Sequence, residues 1–489
     1  MSTTKSTKCK TKKLLFLTIL LFVFGHSKAQ FIDSSIDRVK TPLEVKMKRI
    51  GSIKPKSTKE ITSSRLTVGC ETLDRDHTVW DNYKDYLAPL GVKKIRLQAG
   101  WAKCEKVPGV YDWKWLDDII DYAVANDIEP WLQPSYGNPA YPGGGGINLL
   151  NSLMQSDEAY AAWDRWVEAL VSRYKDRVKE WEIWNEPDLH GHIDAETSAK
   201  LNIRTAEIIK RIQPEAKIAG LAFASNSNQE YLDQFLKVIA DAGKLDLFHW
   251  ISYHSYTLRP EDAYSNKRVL GLRSVIEKYS DKILLRQGEN GAPSTYIPSF
   301  ALSEYYWTEY TQAKYNMRRL LGDLGHDIET SVFTIIDIYY NWGDRAVLNT
   351  KGLIQSDITM AAIRPKVAYY AVQNIAAIFD SNMVLTPGFK YSTTSNESLS
   401  VYGYRHNSDN TPLVALWLDG ENATNSFNTT TISITLENTT FKSPVWVDLM
   451  TGSIYDIEKA QWSKSGGNST FNIPLYDSPI LITEKVVFN

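Results

Sequence analysis

Two glutamates attract attention because each one closes a short apolar segment with the character of a strand. Glu186 lies near the end of residues 181–187, where Pro187 cannot continue a strand ladder and so leaves the carboxyl at the strand end. Glu289 is the centre of residues 287–291, whose two glycines predict a sharp turn that leaves the carboxylate open to a ligand. Hydrolysis of an acetal without a metal needs two carboxyl groups, one to protonate the leaving oxygen and one to attack the anomeric carbon or activate water. The pair therefore predicts glycosidic bond cleavage with no metal and no cofactor, whereas either glutamate taken alone is also explained as a solvated or salt-bridged residue.

The elements that must position these glutamates alternate between strand-like and helix-like segments. Between them lie amphipathic helices, one of which repeats apolar residues at helical spacing over residues 160–174. Eight strands, each followed by a helix, predict an α/β fold, a (β/α)8 TIM barrel over residues 65–380. Glu186 then closes the fourth strand and Glu289 the seventh, so both belong to the face where barrel enzymes hold their active sites. An open doubly wound sheet is the alternative, but no Gly-rich phosphate turn follows the first strand. The eight runs are residues 66–69, 93–97, 128–133, 178–184, 217–221, 247–252, 282–285 and 331–336.

The segments outside the barrel differ in composition. After residue 380, short alternating runs broken by Asn, Gly, Ser and Thr predict an antiparallel β-sandwich domain over residues 381–489. Residues 1–29 have the basic start, short apolar run and small residues of an export signal, with cleavage expected after Ala29. Residues 30–64 are polar and rich in Lys and Ser, which predicts an extension lying over the domains. We therefore expect an exported protein, periplasmic or secreted, with no membrane span in its mature chain.

The composition restricts the classes of partner. The 489 residues are enough for a large barrel and a smaller second domain. With 55 basic and 57 acidic residues, the formal charge is -2, which does not favour a nucleic-acid partner. The 15 Trp and 27 Tyr suit the flat faces of sugars, although aromatic rings also fill cores. Of the cysteines, Cys70 and Cys104 remain after the signal, and two buried free thiols are the favoured expectation over a disulfide.

Several motifs are similar to those of the clan A glycoside hydrolases. Residues 184–187, Trp-Asn-Glu-Pro, resemble the acid/base motif of that clan, and residues 108–113 resemble the stretch after its second strand. The appended sandwich and residues 251–256, Ile-Ser-Tyr-His-Ser-Tyr, resemble family 39, the β-xylosidase and α-L-iduronidase family. One departure is that this family usually has Thr-Glu-Trp around its nucleophile, where this chain has Gly-Glu-Asn at residues 288–290. The resemblance covers most of residues 65–380 and implies the barrel fold.

The resemblance also implies roles for residues at the strand ends. Glu186 corresponds to the acid/base and Glu289 to the nucleophile of a retaining mechanism. Asn185 is expected to hydrogen-bond the sugar 2-hydroxyl. Arg96, on the second strand, is expected to pair with the nucleophile and keep it ionised. The alternative for Arg96 is an ion pair in the barrel floor.

Other side chains are expected around the same site. His254 and Tyr256, on the sixth strand, should lie near Glu289, with one of them donating a hydrogen bond to it, although His254 is also explained as a structural histidine. Aromatic side chains after the second and eighth strands suit sugar stacking as well as packing, and these are Trp101 and Trp342. Glu71 and Arg75 follow the first strand, where they suit either binding of sugar hydroxyls or a carboxylate, or surface ion pairs.

Together these features predict a secreted retaining glycoside hydrolase that acts on oligosaccharides derived from polysaccharides. Its partner is an oligo- or polysaccharide substrate, with a β-xyloside as the best single expectation. One alternative is an endo-acting clan A glycanase of the mannanase or galactanase type. Another is a carbohydrate-binding protein without catalysis, which the presence of both glutamates disfavours.

Overall fold

In the computed structural model, residue 1, residues 39–341 and residues 345–488 are described. The predicted signal, its cleavage site and Trp342 lie outside these residues. Within the described ranges, no helix combines the length and the apolar character that crossing a bilayer requires.

Eight parallel strands close into a barrel, as the alternating pattern predicts. Their side chains are buried almost throughout, which explains why the strands read as continuous apolar runs in the sequence. The fourth barrel strand is shorter than predicted and ends at Glu182 rather than beside Pro187. One strand, β1 (Arg49–Ser52), precedes the barrel. The barrel strands are β2 (Leu66–Gly69), β3 (Lys94–Gln98), β4 (Glu129–Gln133), β5 (Glu180–Glu182), β6 (Lys217–Phe223), β7 (Trp250–His254), β8 (Leu284–Asn290) and β9 (Glu329–Val332).

Helices surround the barrel and bury their apolar faces against it. They are α1 (Leu87–Leu90), α2 (Trp101–Cys104), α3 (Lys114–Ala125), α4 (Asp157–Tyr174), α5 (Ala195–Ile212), α6 (Gln229–Asp241), α7 (Val269–Glu277), α8 (Glu309–Gly325) and α9 (Val367–Ala376). In α4, for example, Trp163, Trp166 and Leu170 are fully buried. Cys70 and Cys104 are buried free thiols, as expected.

A layer of ion pairs fills the barrel at the N-terminal ends of its strands. Arg286 Nη2 lies 2.5 Å from Glu180 Oε2 and 2.6 Å from Glu329 Oε2, and Lys94 Nζ lies 2.7 Å from Glu180 Oε1. The Arg286 guanidinium also lies 3.5 Å from the ring centroid of Trp250. The floor of the barrel is therefore polar but closed, and it lies at the opposite end from the strand termini that carry Glu186 and Glu289.

The C-terminal region forms two antiparallel sheets, as predicted. Their strands are β14 (Met383–Leu385), β15 (Tyr391–Thr393), β16 (Leu399–His406), β17 (Pro412–Leu418), β18 (Thr430–Leu436), β19 (Pro444–Asp448), β20 (Ser453–Asp456), β21 (Trp462–Ser465), β22 (Asn468–Leu475) and β23 (Ile480–Glu484). The larger sheet has the order β1-β20-β19-β23-β17-β16-β14 and the smaller one β15-β18-β22-β21. Strand β1 comes from the polar N-terminal extension and pairs with β20, so that segment contributes an edge strand to the sandwich. Two hairpins that the sequence pattern did not predict follow the barrel. The first pairs β10 (Ile338–Asn341) with β11 (Ala346–Asn349), and the second pairs β12 (Ile354–Ser356) with β13 (Ala362–Pro365).

Helix α8 links the barrel to the sandwich. Every residue from Thr311 to Leu324 is buried, which is unusual for an outer helix of a barrel. Lys314 Nζ donates to the carbonyl oxygens of Thr424 and Ser426, at 2.9 and 2.5 Å, and pairs with Asp477. The sandwich therefore covers the outer face of this helix.

Candidate active site

The backbone around Glu186 adopts a sparsely populated conformation. Trp184 and Glu186 have φ of 67° and 46°, in the left-handed region that favours glycine. Hydrogen bonds hold this shape: the Glu186 N–H donates to Ala222 O at 2.8 Å, and Gln133 Nε2 donates to Trp184 O. Such strained residues persist where the surroundings over-determine them, which is common at functional sites. The carboxyl of Glu186 is thus fixed at the mouth of the barrel by its own backbone.

Glu289 lies inside an extended strand, which corrects the interpretation of its flanking glycines. Strand β8 continues to Asn290, so the backbone does not turn sharply at this point. A Cβ atom on Gly288 would lie 2.4 Å from Ser252 Oγ, and one on Gly291 would lie 2.0 Å from Phe333 O. Both glycines are needed because neighbouring atoms approach closely, and the strand register shifts between Gln287 and Asn290 without a sharp turn.

The two glutamates face each other with His254 beside them. One carboxylate oxygen each of Glu186 and Glu289 and one ring nitrogen of His254 lie within 4.8 Å of one another. His254 Nδ1 lies 2.7 Å from Glu186 Oε1 and 3.7 Å from Glu289 Oε2. The two carboxylate side chains are 15% and 14% exposed, whereas His254 is fully buried. Carboxyls about 5 Å apart are typical of retaining glycosidases, since inverting enzymes need roughly 6.5–9.5 Å to admit a water.

Arg96 is the centre of the charge network behind Glu289. Its Nη1 lies 3.0 Å from Glu289 Oε2, as the resemblance implied, and its Nη2 donates to Asn185 Oδ1 at 2.7 Å. The same guanidinium contacts Glu71 Oε1 at 3.0 Å and Glu182 Oε1 at 2.8 Å. Arg96 is fully buried, so three carboxylates depend on one guanidinium that has little contact with water.

Hydrogen bonds and charges keep Glu289 ionised. Burial alone would raise the pKa of Glu289, but His254, Arg96 and the hydroxyl of Tyr256 outweigh it and hold that pKa below its ordinary value. Tyr256 donates to Glu289 Oε1 at 2.8 Å, so the tyrosine is the donor among the two residues expected here. The pKa of His254 is lowered by burial but raised more by Glu289 and Glu186, and the net shift is upward.

Two predicted or considered binding residues, Trp101 and Glu71, have other surroundings. Trp101 is fully buried, and its ring is stacked between Tyr141 and Trp166, at centroid distances of 5.7 and 5.9 Å. The expectation that Trp101 stacks on a sugar is therefore wrong, because both of its faces are already covered. Trp342 lies outside the described residues. Glu71 points to Arg96 rather than to open solvent.

Sequence reasoning missed other members of the site. Glu182 is fully buried on the same strand segment as Glu186, and an acidic residue inside an apolar strand was a signal that a buried cation faces it. Lys351 is buried with its Nζ 5.0 Å from the ring centroid of Tyr256 and 2.7 Å from Ala301 O. Burial lowers the pKa of Lys351 to about 7, against the pull of Glu289, Glu304 and Glu186. No local motif marks this lysine, since it follows a hairpin that the sequence pattern did not predict.

Comparisons with known proteins agree with this geometry. Residues 65–311 match the sequence profile of Glycosyl hydrolases family 39. The fold resembles a family 39 glycoside hydrolase from the gut symbiont Bacteroides cellulosilyticus, with a TM-score of 0.64, 18% identity and coverage of 88% of this chain and 82% of that one. It also resembles a monomeric beta-xylosidase from Caulobacter crescentus, with a TM-score of 0.56, 18% identity and coverage of 89% and 97%.

A curated relative matches over a shorter stretch. Beta-galactosidase BgaA of Clostridium cellulovorans is 30% identical over an alignment of 136 residues, and the match covers 23% of this chain and 20% of that relative. The match to the family profile spans half of the chain. The chain therefore belongs to glycosyl hydrolases family 39, a family of O-glycosyl hydrolases with a retaining mechanism.

Proposed function

We propose that this enzyme is exported and cleaves β-xylosidic bonds in oligosaccharides derived from polysaccharides, with Glu289 as the nucleophile and Glu186 as the acid/base. The observation that carries the assignment of roles is the asymmetry between the two carboxylates. Glu289 accepts from Tyr256 and pairs with Arg96, which favour the ionised form that an attacking carboxylate needs. Glu186 lies outside this cluster of donors and shares a hydrogen bond with His254, in which either atom can hold the proton.

In the first half-reaction, a Glu289 oxygen attacks the anomeric carbon as the bond to the leaving oxygen breaks. Glu186 gives its proton to that oxygen, so the departing group leaves as an alcohol. Glu289 is then an ester, and Glu186 is a carboxylate. Arg96 holds Asn185 through Oδ1, so the Nδ2 amide of Asn185 is the donor that remains for the sugar 2-hydroxyl.

In the second half-reaction, Glu186 takes a proton from a water molecule whose oxygen attacks the anomeric carbon on the face that the aglycone left. The ester bond to Glu289 breaks, and its carboxylate returns to Arg96 and Tyr256. Two inversions at one carbon give net retention. The protons balance because Glu186 is protonated again at the end of each catalytic cycle.

The choice of a β-xyloside draws support from the family and from the Caulobacter crescentus structure, which is described as a beta-xylosidase. The short match to a beta-galactosidase makes β-galactosides the second candidate substrate. A panel of nitrophenyl glycosides followed by polysaccharide digestion tests the choice. Fastest turnover of the β-xyloside supports it, whereas turnover of a polymer alone indicates an endo-acting enzyme and binding without turnover indicates a carbohydrate-binding protein.

The assignment of roles is tested with two matched alanine variants. Glu289→Ala should abolish turnover, because no other group attacks the anomeric carbon. Glu186→Ala should spare aryl glycosides with good leaving groups, which need little protonation, and azide should restore its second half-reaction and give a retained glycosyl azide. Azide rescue of Glu289→Ala to a retained glycosyl azide, with no rescue of Glu186→Ala, would exchange the two roles. Proton NMR of the first-formed anomer tests retention separately.

A further inference from the structure

The carboxyl of Glu71 is folded back into the barrel. Glu71 follows β2 and is 3% exposed, although it belongs to a loop at the mouth of the barrel. Its side chain lies over Gly69: a Cβ atom at residue 69 would lie 2.0 Å from Glu71 Oε2 and 2.6 Å from its Cδ. Any side chain at residue 69 would therefore displace this carboxyl. The loop is shaped so that a third glutamate can reach the charge network of Glu289.

Glu71 and Glu289 contact the same nitrogen of Arg96. Nη1 lies 3.0 Å from Glu71 Oε1 and 3.0 Å from Glu289 Oε2, and Glu182 contacts the other side of the guanidinium. Nη1 carries two hydrogens, so each carboxylate can accept one of them, but two ionised carboxylates held this close to one buried nitrogen repel each other. The arrangement is more favourable if one of the two is neutral, and Glu289 is the one that Tyr256 holds ionised.

The contacts of Thr334 identify the neutral partner. Thr334 Oγ1 lies 2.7 Å from Gly69 O and 3.4 Å from Glu71 Oε2. A hydroxyl carries one hydrogen, and a carbonyl oxygen can only accept, so the shorter contact takes that hydrogen. A lone pair of Thr334 then faces Glu71 Oε2, which matches a carboxyl that donates rather than one that accepts.

We propose that Glu71 is a positioning residue that holds a proton in the resting enzyme, donates it towards Thr334, and thereby leaves the charge of Arg96 to Glu289. Burial raises the pKa of Glu71 to about 7, with Glu289 adding to the shift and Arg96 opposing it. The groups facing Glu71 are two charged residues and four weakly acidic ones. These are Arg96, Glu289, Cys70, Tyr83, Tyr256 and Tyr340. The proposal that Glu71 is protonated depends on the contacts of Glu71 alone. Its proposed effect on turnover also rests on the proposed function, in which Glu289 is the nucleophile.

Carbon-13 NMR of enzyme labelled at the glutamate carboxyls tests whether Glu71 is protonated, and it needs no substrate. Wild type should show one carboxyl that titrates near pH 7, and this titration should be missing in Glu71→Gln. In Glu289→Gln the same titration should move to lower pH by about 1 unit, because the neighbouring negative charge is gone. Absence of a titration near neutral pH, or one that is unmoved in Glu289→Gln, would overturn the proposal whatever sugar the enzyme cleaves.

Two variants of Thr334 test the hydrogen bond itself. Thr334→Val removes the acceptor at nearly constant volume, so the Glu71 titration should move to lower pH, while Thr334→Ser keeps the hydroxyl and should leave it in place. Equal shifts in both variants would rule out the donation.

Enzyme kinetics then test the positioning role. In Glu71→Gln, an amide mimics the protonated carboxyl at every pH, so the ratio of kcat/KM at pH 8 to kcat/KM at pH 6 should be higher than in wild type, measured with the nitrophenyl glycoside that wild type cleaves fastest. Above pH 8 the variant should keep activity that wild type loses as Glu71 ionises and competes for Arg96. The same alkaline limb in both proteins would show that Glu71 does not act on Glu289.

Discussion

At the scale of single residues, Tyr256 has the simplest link to the proposed nucleophile, Glu289. Its hydroxyl donates to Glu289 Oε1 at 2.8 Å, and its ring is held by burial and by Lys351 at 5.0 Å from the centroid. A hydrogen bond to a charged acceptor is worth roughly 1.5–3 kcal/mol. Tyr256 therefore contributes to the low pKa of Glu289 without contacting the other carboxylates of the cluster.

Tyr256→Phe should lower kcat/KM by about 10- to 100-fold and displace the acid limb of its pH profile to higher pH. The sign follows from the direction of the shift: the tyrosine lowers the pKa of Glu289, so without it Glu289 takes up a proton at higher pH and loses its nucleophilic form there. Tyr305→Phe, a tyrosine that donates to Ala423 O away from Glu289, is the matched control and should leave the limb unmoved. A Tyr256→Phe profile that is lower at every pH but not displaced would contradict this reason.

Trp101 gives a prediction that separates packing from substrate binding. Trp101→Ala should destabilise the fold by about 3–5 kcal/mol, because a fully buried indole between two rings is removed. The milder Trp101→Phe should leave KM within about 2-fold, since no face of the ring is open to a sugar. Denaturant unfolding and glycoside kinetics measure the two effects. A large rise in KM without a loss of stability would restore the stacking role.

The site residues that could be predicted from the sequence either belong to a motif or lie at the end of a strand. Asn185 and Glu186 are marked by the Pro that follows them, and His254 and Tyr256 by their place on the sixth strand. Glu71 was noticed but given the wrong surroundings, because nothing local indicates that a loop carboxylate folds back over a glycine. The prediction for Trp101 was wrong for another reason. An aromatic residue after a barrel strand gives the same sequence pattern whether its ring faces the sugar or the core.

At the scale of elements, the eight barrel strands were predictable because burial on both faces selects apolar runs of a recognisable length. The hairpins β10–β11 and β12–β13 were not, because their strands have only three or four residues and most are partly exposed, so no continuous buried run marks them. The end of β5 was placed too late for a related reason. Residues 183–184 are as apolar as the strand, but Trp184 adopts a positive φ and its carbonyl oxygen accepts from the side chain of Gln133.

The ion-pair layer in the barrel floor predicts a strong dependence of the fold on Arg286. Arg286→Ala should destabilise the protein by about 3–5 kcal/mol, because Glu180 and Glu329 would stay buried without their main cation. Lys114→Ala is the control: its pair with Asp118 is exposed, so its loss should leave the unfolding midpoint nearly unchanged. Comparable losses in thermal unfolding for both variants would contradict the burial argument.

The same layer sets an acid limit on stability. Burial opposes ionisation of Glu329, but Arg286 and Lys94 prevail and lower its pKa from 4.5 to about 2. A carboxylate whose folded pKa is depressed contributes its full stabilisation above the unfolded value and loses it as the pH falls through the folded value. Wild type should therefore lose stability between about pH 4.5 and 2, and Glu329→Gln should lose less over that interval. Unfolding midpoints measured at several pH values in this range check the difference.

At the scale of the whole molecule, the sandwich supports the catalytic face as well as the outer helix. Ala423, in the loop between β17 and β18, belongs to a small buried cluster with Leu302 and Trp307 of the loop after β8, and Tyr256 packs against that cluster. Tyr305 also donates to Ala423 O at 2.8 Å. The second domain is therefore continuous with the wall that holds the donor of Glu289, which the change of composition at residue 380 gave no means to predict.

Lys314 on α8 tests whether the two domains unfold as one body. Its side chain is fully buried, and the three oxygens it contacts all belong to the sandwich. Lys314→Ala would leave the Asp477 carboxylate and two carbonyl groups without this donor, so we expect a loss of about 3–5 kcal/mol. Because barrel and sandwich share this helix, calorimetry of both proteins should show a single transition, displaced to lower temperature in the variant. The exposed Lys200→Ala, which breaks only the pair with Glu196, is the control and should leave the midpoint nearly unchanged. Two resolved transitions in wild type, with only one displaced by Lys314→Ala, would mean that the domains unfold independently and that the sandwich is not needed to hold the barrel face.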